Sequence, residues 1–355
     1  MKILCITESL GSGGAERQLC GLAIELKKKG YDVTVVTYVE NQFYQPLLDE
    51  AGVNYELHPE LWSKWTRVWR MAKLVRKENP DVIISFLTTV NRAVCLAKPL
   101  FKAKLIVSER NTNQSISLQD KITYFLYQLA DKVVCNSYSQ KNFVLKHFPH
   151  LKDKTLTITN FVDTEKFKPG KKIRENEVPQ IVTVARYGAQ KNCENYLKAI
   201  NICKEKKVQA HFHWYGSKTY NSEYYAKIEE LHKELGLSDI LTLHSQNNHI
   251  VEIYQQYDGF CLPSYYEGFP NVLCEAMSCG LPVACSNVCD NPYIVNKTGY
   301  ALLFDPNNPE SIANQLIKMT NMNLEERNKI GTQNRNRILN LCSMKHFVWE
   351  YENIL

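Results

Sequence analysis

Short apolar runs alternate with longer amphipathic stretches along almost the whole chain, and the alternation stops once and then restarts. Ile3–Thr7, Asp32–Tyr38, Val82–Phe86, Leu105–Ser108 and Lys132–Asn136 read as strands, with helical patterns such as Ala15–Lys29 and Leu118–Ala130 between them. This pattern leaves few topologies: parallel strands joined by right-handed helical crossovers. The interruption, Lys168–Pro179, is charged, poor in apolar residues and flanked by prolines, so it reads as a linker. Beyond it Ile181–Ala185, His211–Tyr215, Leu241–His244, Gly259–Leu262 and Pro282–Cys285 form a second set of strands. The expected organisation is a first α/β domain over 1–167, a linker over 168–180 and a second α/β domain over 181–343. In sheets of this kind a ligand binds at the carboxyl ends of the strands.

The bulk numbers fit that division. A chain of 355 residues is long enough for two domains, each with its own core. At 44% hydrophobic and 23% charged residues it has an ordinary globular composition. No apolar run approaches the roughly 20 residues of a membrane span. The N-terminal Met1–Thr7 turns polar too soon for a signal peptide and reads as a first buried strand. The twelve cysteines show no CxxC pair and read as reduced core thiols in a cytoplasmic protein. A net charge of +6 favours anionic partners without choosing among them. The basic residues surround no base-reading motif, so nucleic acid is not an expected partner.

Three clusters could carry chemistry. Gly11-Ser-Gly13-Gly14-Ala-Glu16-Arg17 follows the first strand and opens a helix, so its backbone can approach a phosphate or sugar closely. Glu16 stands where G-x-G-x-x-G requires a third glycine, which disfavours a dinucleotide site. Arg186 and Lys191 follow the first strand of the second domain, where two cations can clamp a diphosphate and neutralise its departure. Glu267-Gly-Phe-Pro-Asn271-Val272-Leu273-Cys-Glu275 places one carboxylate before a helix N-terminus and one about a turn inside it. The free amides and positive dipole end of that helix favour a phosphate. Because Glu267 lies in the loop, an acid/base dyad is not implied. Each carboxylate is better placed to accept hydroxyls at opposite ends of one ligand. Each feature alone also has a plain structural reading, as a tight turn, solvated charges or a dipole-compensating Glu.

Together these residues resemble a family 4 glycosyltransferase of GT-B fold: two Rossmann-like domains facing each other across a cleft. The most specific match is the E-x7-E motif, Glu267 to Glu275, continuing through Gly280 and Pro282. Gly13–Arg17, Asn79–Ile83, Asn136-Ser137, Asn160–Phe167 and Lys191-Asn192 also fit in order and spacing. The resemblance implies a retaining transfer of a hexose or N-acetylhexosamine, without metal or cofactor. The donor would be a nucleotide diphosphate sugar, UDP-linked by preference, and the acceptor a glycan or lipid-linked sugar in cell-surface polysaccharide synthesis. Arg186, Lys191 and Glu267 would be the catalytic residues, with Glu267 on the donor sugar. Gly13, Gly14, Asn271, Val272, Leu273 and Glu275 would bind the donor, Glu275 through the ribose. The leaving diphosphate would take the acceptor proton, which fits the absence of an obvious nucleophile–base pair. Where many relatives carry a histidine, this chain has Ser108-Glu109-Arg110-Asn111. Glu109, Arg110 and Arg17 are therefore candidates for the donor sugar or the acceptor. Tyr215-Gly216 lacks the richer glycine turn common in the family. By family architecture, 344–355 is a helix returning to the first domain. The alternatives are a nucleotide-sugar epimerase of the same fold and a silent nucleotide-sugar-binding subunit.

The segment 61–77 has two readings. Trp62, Trp65 and Trp69 recur at helical spacing among Lys64, Arg67, Arg70, Lys73, Arg76 and Lys77. Such a helix is either a core element with buried tryptophans or an interfacial helix on an anionic membrane surface. The second reading would place the protein peripherally on the inner face of the cytoplasmic membrane.

Overall fold

In the computed structural model, which describes residues 1–63, 65–110, 114–170, 178–296 and 300–355, the strand-type runs become parallel strands. β1 (Lys2–Ile6), α1 (Gly14–Lys28), β2 (Asp32–Thr37), α2 (Gln45–Glu50) and β3 (Asn54–Leu57) come first. α3 (Arg67–Glu78), β4 (Val82–Phe86), α4 (Thr88–Ala97), β5 (Lys104–Glu109) and α5 (Leu118–Leu126) follow. β6 (Lys132–Cys135), α6 (Tyr138–His147) and β7 (Thr155–Thr157) complete a seven-stranded sheet of order β3-β2-β1-β4-β5-β6-β7. Every pairing in it is parallel. The chain moves outward from β1 to β3, then starts again at β4 on the other side of β1. The topological switch point therefore lies between β1 and β4.

The second half repeats the scheme. β8 (Gln180–Val184), α7 (Cys193–Glu205), β9 (His211–Gly216), α8 (Ser222–Glu234) and β10 (Leu241–Ser245) build one side. α9 (Ile250–Gln256), β11 (Gly259–Leu262), α10 (Asn271–Ser278), β12 (Val283–Ser286), α11 (Asn291–Val295) and β13 (Leu302–Phe304) build the other. The order is β10-β9-β8-β11-β12-β13, all parallel, so this switch point lies between β8 and β11. α12 (Pro309–Thr320) and α13 (Leu324–Leu341) follow, and α14 (Met344–Glu352) ends the chain. Both halves are parallel-sheet, Rossmann-like α/β units, as the alternation predicts.

One compact unit comprises Met1–Phe161 with Met344–Leu355, the other Val162–Ser343. Each sheet carries a hydrophobic core on both faces. The division falls ahead of the expected boundary at 167, because 162–167 is bound into the second unit. Phe167 packs near Tyr254, and its carbonyl accepts from Ser278 Oγ and Arg335. Of the expected linker, residues 171–177 lie outside the described residues. α14 packs on the first unit: Phe347 lies against Phe161, and Tyr351 is fully buried. All the cysteines are free, and all but Cys289 are buried. Burial pushes the thiols of Cys5 and Cys20 up to about 12, so they stay protonated.

The tryptophan segment is not one helix over 61–77. A short 3-10 turn, Pro59–Trp62, is followed by extended Ser63, and α3 starts only at Arg67. The Arg67 side chain causes the break. It turns inward and donates to the carbonyls of Leu61 at 2.6 Å and Trp62 at 2.8 Å, and its guanidinium lies over the Tyr38 ring. The three tryptophans are not in the core. Trp62, Trp65 and Trp69 are 61%, 98% and 63% exposed. Lys64 lies outside the described residues.

Candidate functional site

At the carboxyl end of β8 the chain runs through Arg186 into a one-turn 3-10 helix, Ala189–Lys191, and then into α7. At the carboxyl end of the neighbouring β11 it runs through Ser264 and Glu267 into α10. The switch point thus gathers four predicted residues, Arg186, Lys191, Glu267 and Glu275, although the two loops are far apart in sequence. Lys191 Nζ lies 2.7 Å from Glu267 Oε1, with both side chains largely buried. Lys keeps two further N–H donors and Glu267 a second oxygen, so the pair can still engage a ligand. Arg186 is exposed, stacked 4.5 Å over the Tyr220 ring, and donates to Gln190 Oε1 at 3.1 Å. Glu275 is buried in the middle of α10.

The start of α10 has Pro270 as its cap residue and no side-chain cap. Its first amides are not equivalent. The Asn271 amide donates to Phe269 O at 2.9 Å and the Leu273 amide to Pro270 O at 3.1 Å. Among the described residues, the Val272 amide has no such acceptor. Of the three predicted donor-binding positions here, Val272 therefore offers the free N–H. The fully buried Ser264 Oγ, at the end of β11, also lacks a partner. Buried hydroxyls are normally satisfied, so this atom marks a place for water or ligand.

Sequence reasoning missed what holds the two loops together. Gln190 accepts at its carbonyl from the Tyr265 amide and donates through Nε2 to Tyr266 O, each at 2.9 Å. Asn192 adopts a left-handed backbone, φ 61°, and its side-chain amide donates to Pro263 O and Pro306 O. Asn tolerates that backbone better than most residues. Two glycines complete the frame. A Cβ on Gly216 would stand 2.2 Å from the Ala185 carbonyl, so only glycine lets β9 approach the residue before Arg186. Gly280, φ 75°, ends α10: its amide bonds Met277 O and the Leu281 amide bonds Ala276 O, which is a Schellman motif.

In the first unit, Gly13 is the cap residue of α1, with Gly14 its first residue and Arg17 half-buried in the first turn. Glu16, the residue that breaks the dinucleotide pattern, folds back on this end. Its carboxylate comes within 2.1 Å of where a Gly13 Cβ would be. Burial raises the carboxyl pKa of Glu16 above its usual value. Ser108 and Glu109 close β5. The buried Glu109 carboxylate accepts from Tyr127 OH at 2.8 Å and Thr88 Oγ1 at 3.1 Å. Burial first, then the Glu109 charge, pushes the Tyr127 phenol well above its usual range. Arg110 lies over Phe86 and donates to Asn160 Oδ1 at 2.9 Å and Tyr351 OH at 2.7 Å. Its guanidinium thus ties α14 to the sheet. Asn111 lies outside the described residues. Among the described residues, no three His, Cys, Asp or Glu side chains gather in a way that could hold a metal ion.

Residues 163–337 match the family model for glycosyl transferases group 1, and residues 12–166 match that for Glycosyltransferase Family 4. A curated relative in Campylobacter jejuni is 29% identical over 290 residues, covering 78% of this chain and 77% of its own. It is a GalNAc-alpha-(1->4)-GalNAc-alpha-(1->3)-diNAcBac-PP-undecaprenol alpha-1,4-N-acetyl-D-galactosaminyltransferase. A UDP-Gal:alpha-D-GlcNAc-diphosphoundecaprenol alpha-1,3-galactosyltransferase of Escherichia coli is 24% identical, covering 76% of this chain and 73% of its own. A glycosyltransferase from Rickettsia africae shares the fold at a TM-score of 0.88 and 20% identity, covering 99% of this chain and 97% of its own. Anabaena HepE, solved with UDP and glucose, does so at 0.82 and 17%, covering 100% and 99%.

Proposed function

This chain belongs to the glycosyltransferases, by the two family models that together span residues 12–337, and we propose that it moves a hexose or N-acetylhexosamine from a UDP-sugar to a lipid-linked glycan with retention. The observation that carries this reading is the Lys191–Glu267 pair at the β8/β11 switch point, with the free Val272 amide in the first turn of the helix that follows Glu267. Cations, a helix N-terminus and carboxylates at one strand edge suit a sugar diphosphate better than any single alternative ligand. Undecaprenol-diphosphate acceptors of two relatives and the UDP and glucose bound by HepE support the substrate classes.

In this reading Arg186 and Lys191 hold the diphosphate, with the Val272 amide adding a donor. Glu275 takes the ribose hydroxyls, and Glu267 both orients Lys191 and accepts a hydroxyl of the donor sugar. The bond from the anomeric carbon to the diphosphate oxygen breaks as the acceptor oxygen bonds that carbon on the same face. The acceptor proton passes to the departing diphosphate. Charge grows on the diphosphate in the transition state, so cations placed there accelerate the step rather than merely tightening binding. No metal is assigned a part. Gly13 and Gly14 of the first unit are assigned to the donor, and Arg17 and Glu109 to the donor sugar or the acceptor. The work is done in the cytoplasm, at the inner face of the membrane, as part of cell-surface polysaccharide synthesis.

A thermal-shift screen against nucleotide sugars, followed by product analysis with and without acceptor, tests the proposal. A UDP-sugar should raise the melting temperature by mass action and give product only with acceptor. Isomerised donor formed without acceptor would mark an epimerase instead. Donor binding with no product from any acceptor would mark a silent binding subunit.

A further inference from the structure

On one face of the first sheet α3, α4 and α5 lie side by side in that order. All three feed the same core, through Met71, Leu74 and Val75, through Val90 and Val94, and through Tyr124. The outer side of the layer is unusually apolar. α3 and the turn before it present Trp62, Trp65 and Trp69, with Trp65 almost wholly exposed. α5 presents Leu118, Ile122 and Phe125 at 74%, 52% and 66% exposure, with Leu129 just beyond the helix. Spacings of four, three and four residues put these on one stripe. The end of α4 and the turn after it add Leu96 and Leu100. A monomer rarely leaves so many large apolar groups in water without a partner.

Charge selects the partner. From Arg67 to Lys77 the chain has five basic residues and no acid. Lys73 and Lys77 are exposed, with the Lys73 ammonium 5.7 Å over the Trp69 ring. Lys121 is exposed on α5, and Lys102 in the loop leading into β5. Nearby acids are already held: Glu60 by His58 at 2.8 Å, Glu78 by Lys2 at 3.0 Å, Asp131 by Lys98 at 2.9 Å, and Asp120 in the cap of α5. Exposed tryptophans with Lys73 and Lys77 beside Trp69 match the boundary between anionic headgroups and acyl chains. Among the described residues no helix is long and apolar enough to cross a membrane.

We propose that the outer surface of the α3–α4–α5 layer docks on an anionic phospholipid membrane. Trp62, Trp65 and Trp69 enter at one end and the Leu118–Phe125 stripe at the other. Trp62 and Leu118 both follow carboxyl ends of strands, so docking brings the lipid surface to the edge that holds Glu109. Docking draws its purpose from the proposed lipid-linked acceptor, but neither donor nor acceptor is needed to observe it.

The test is flotation of the full chain with phosphatidylcholine vesicles, with and without phosphatidylglycerol, together with tryptophan quenching by brominated lipids. The protein should float with the anionic vesicles and be quenched by them. Trp65→Ser with Trp69→Ser, Leu118→Ser with Phe125→Ser, and Lys73→Glu with Lys77→Glu should each weaken partitioning by roughly tenfold or more, with unfolding curves unchanged. No flotation of the wild type, or flotation untouched by all three pairs, overturns the proposal. So does a lipid-free dimer that dissociates with Trp65→Ser, which would make the patch an interface between copies. If flotation holds but no sugar is transferred, the proposed function alone fails. If a short-chain soluble acceptor is used normally but flotation fails, docking alone does.

Discussion

The Lys191 ammonium meets the Glu267 carboxylate at 2.7 Å across 76 residues of sequence, with 14% and 8% of the two side chains exposed. Removing one partner leaves the other charge buried and uncompensated. Lys191→Met and Glu267→Gln should each cost about 3 kcal/mol of unfolding free energy. The double variant should cost far less than their sum, which is the signature of direct coupling. Urea unfolding of the four proteins measures the cycle. Additive costs would mean that the pair does not hold the two loops together. Turnover should be lost in all three variants, so restored stability without restored activity separates scaffold from chemistry.

Asn192 allows a second dissection. Asn192→Ala loses both side-chain bonds to Pro263 and Pro306 and leaves alanine in a left-handed backbone, for a cost of about 2–3 kcal/mol. Asn192→Gly loses the bonds but not the backbone fit, so it should cost less. Equal losses in chemical denaturation would place the whole effect in the side-chain amide.

Arg110 was a candidate for the acceptor or donor sugar, and the structure engages it with Asn160 and Tyr351. Tyr351→Phe should lower stability by about 1–2 kcal/mol through the lost charged hydrogen bond, with KM for both substrates unchanged. Arg110→Lys should do the same, because lysine cannot reproduce the fork. An Arg110→Lys enzyme of normal stability with a raised acceptor KM would return Arg110 to the binding site.

His58 sits between two carboxylates, 2.8 Å from Glu60 and 2.9 Å from Glu56. Burial works to lower its pKa, but the hydrogen bonds to Glu56 and Glu60 outweigh it, and the net shift is upward from 6.5. A raised folded pKa stabilises fully below the ordinary value, and the gain is lost as pH rises through the folded one. The melting temperature of wild type relative to His58→Gln should therefore fall between about pH 6 and about pH 8. A constant difference across that window would mean that the imidazolium contributes nothing there.

The central strands of both sheets were legible in the sequence because they are apolar on both faces. Val82–Phe86 and Gly259–Leu262 are buried throughout, and their ends were read correctly. β3, β7 and β13 were missed. They are edge strands of three or four residues with mixed burial, too short to show a period. The helical stripe read through Trp62, Trp65 and Trp69 failed because Arg67 caps the preceding turn, a tertiary contact that periodicity does not report. Arg186, Lys191, Glu267 and Glu275 stood out by residue type and by position at strand ends. Their junction through Gln190 and Asn192 did not, since amide side chains bonded to distant carbonyls leave no local pattern. The link from Arg110 to Tyr351 spans 241 residues and was equally invisible.

Initial-rate kinetics with a UDP-sugar and a lipid-linked acceptor, comparing Arg186→Ala, Lys191→Ala and Glu275→Ala, probe the placement of the chemistry at the diphosphate most directly. The expected result is a fall in kcat of roughly a hundredfold or more for each cation variant, with little change in donor KM. Glu275→Ala should instead raise the donor KM and lower kcat less. Wild-type kcat in both Arg186→Ala and Lys191→Ala would contradict that placement.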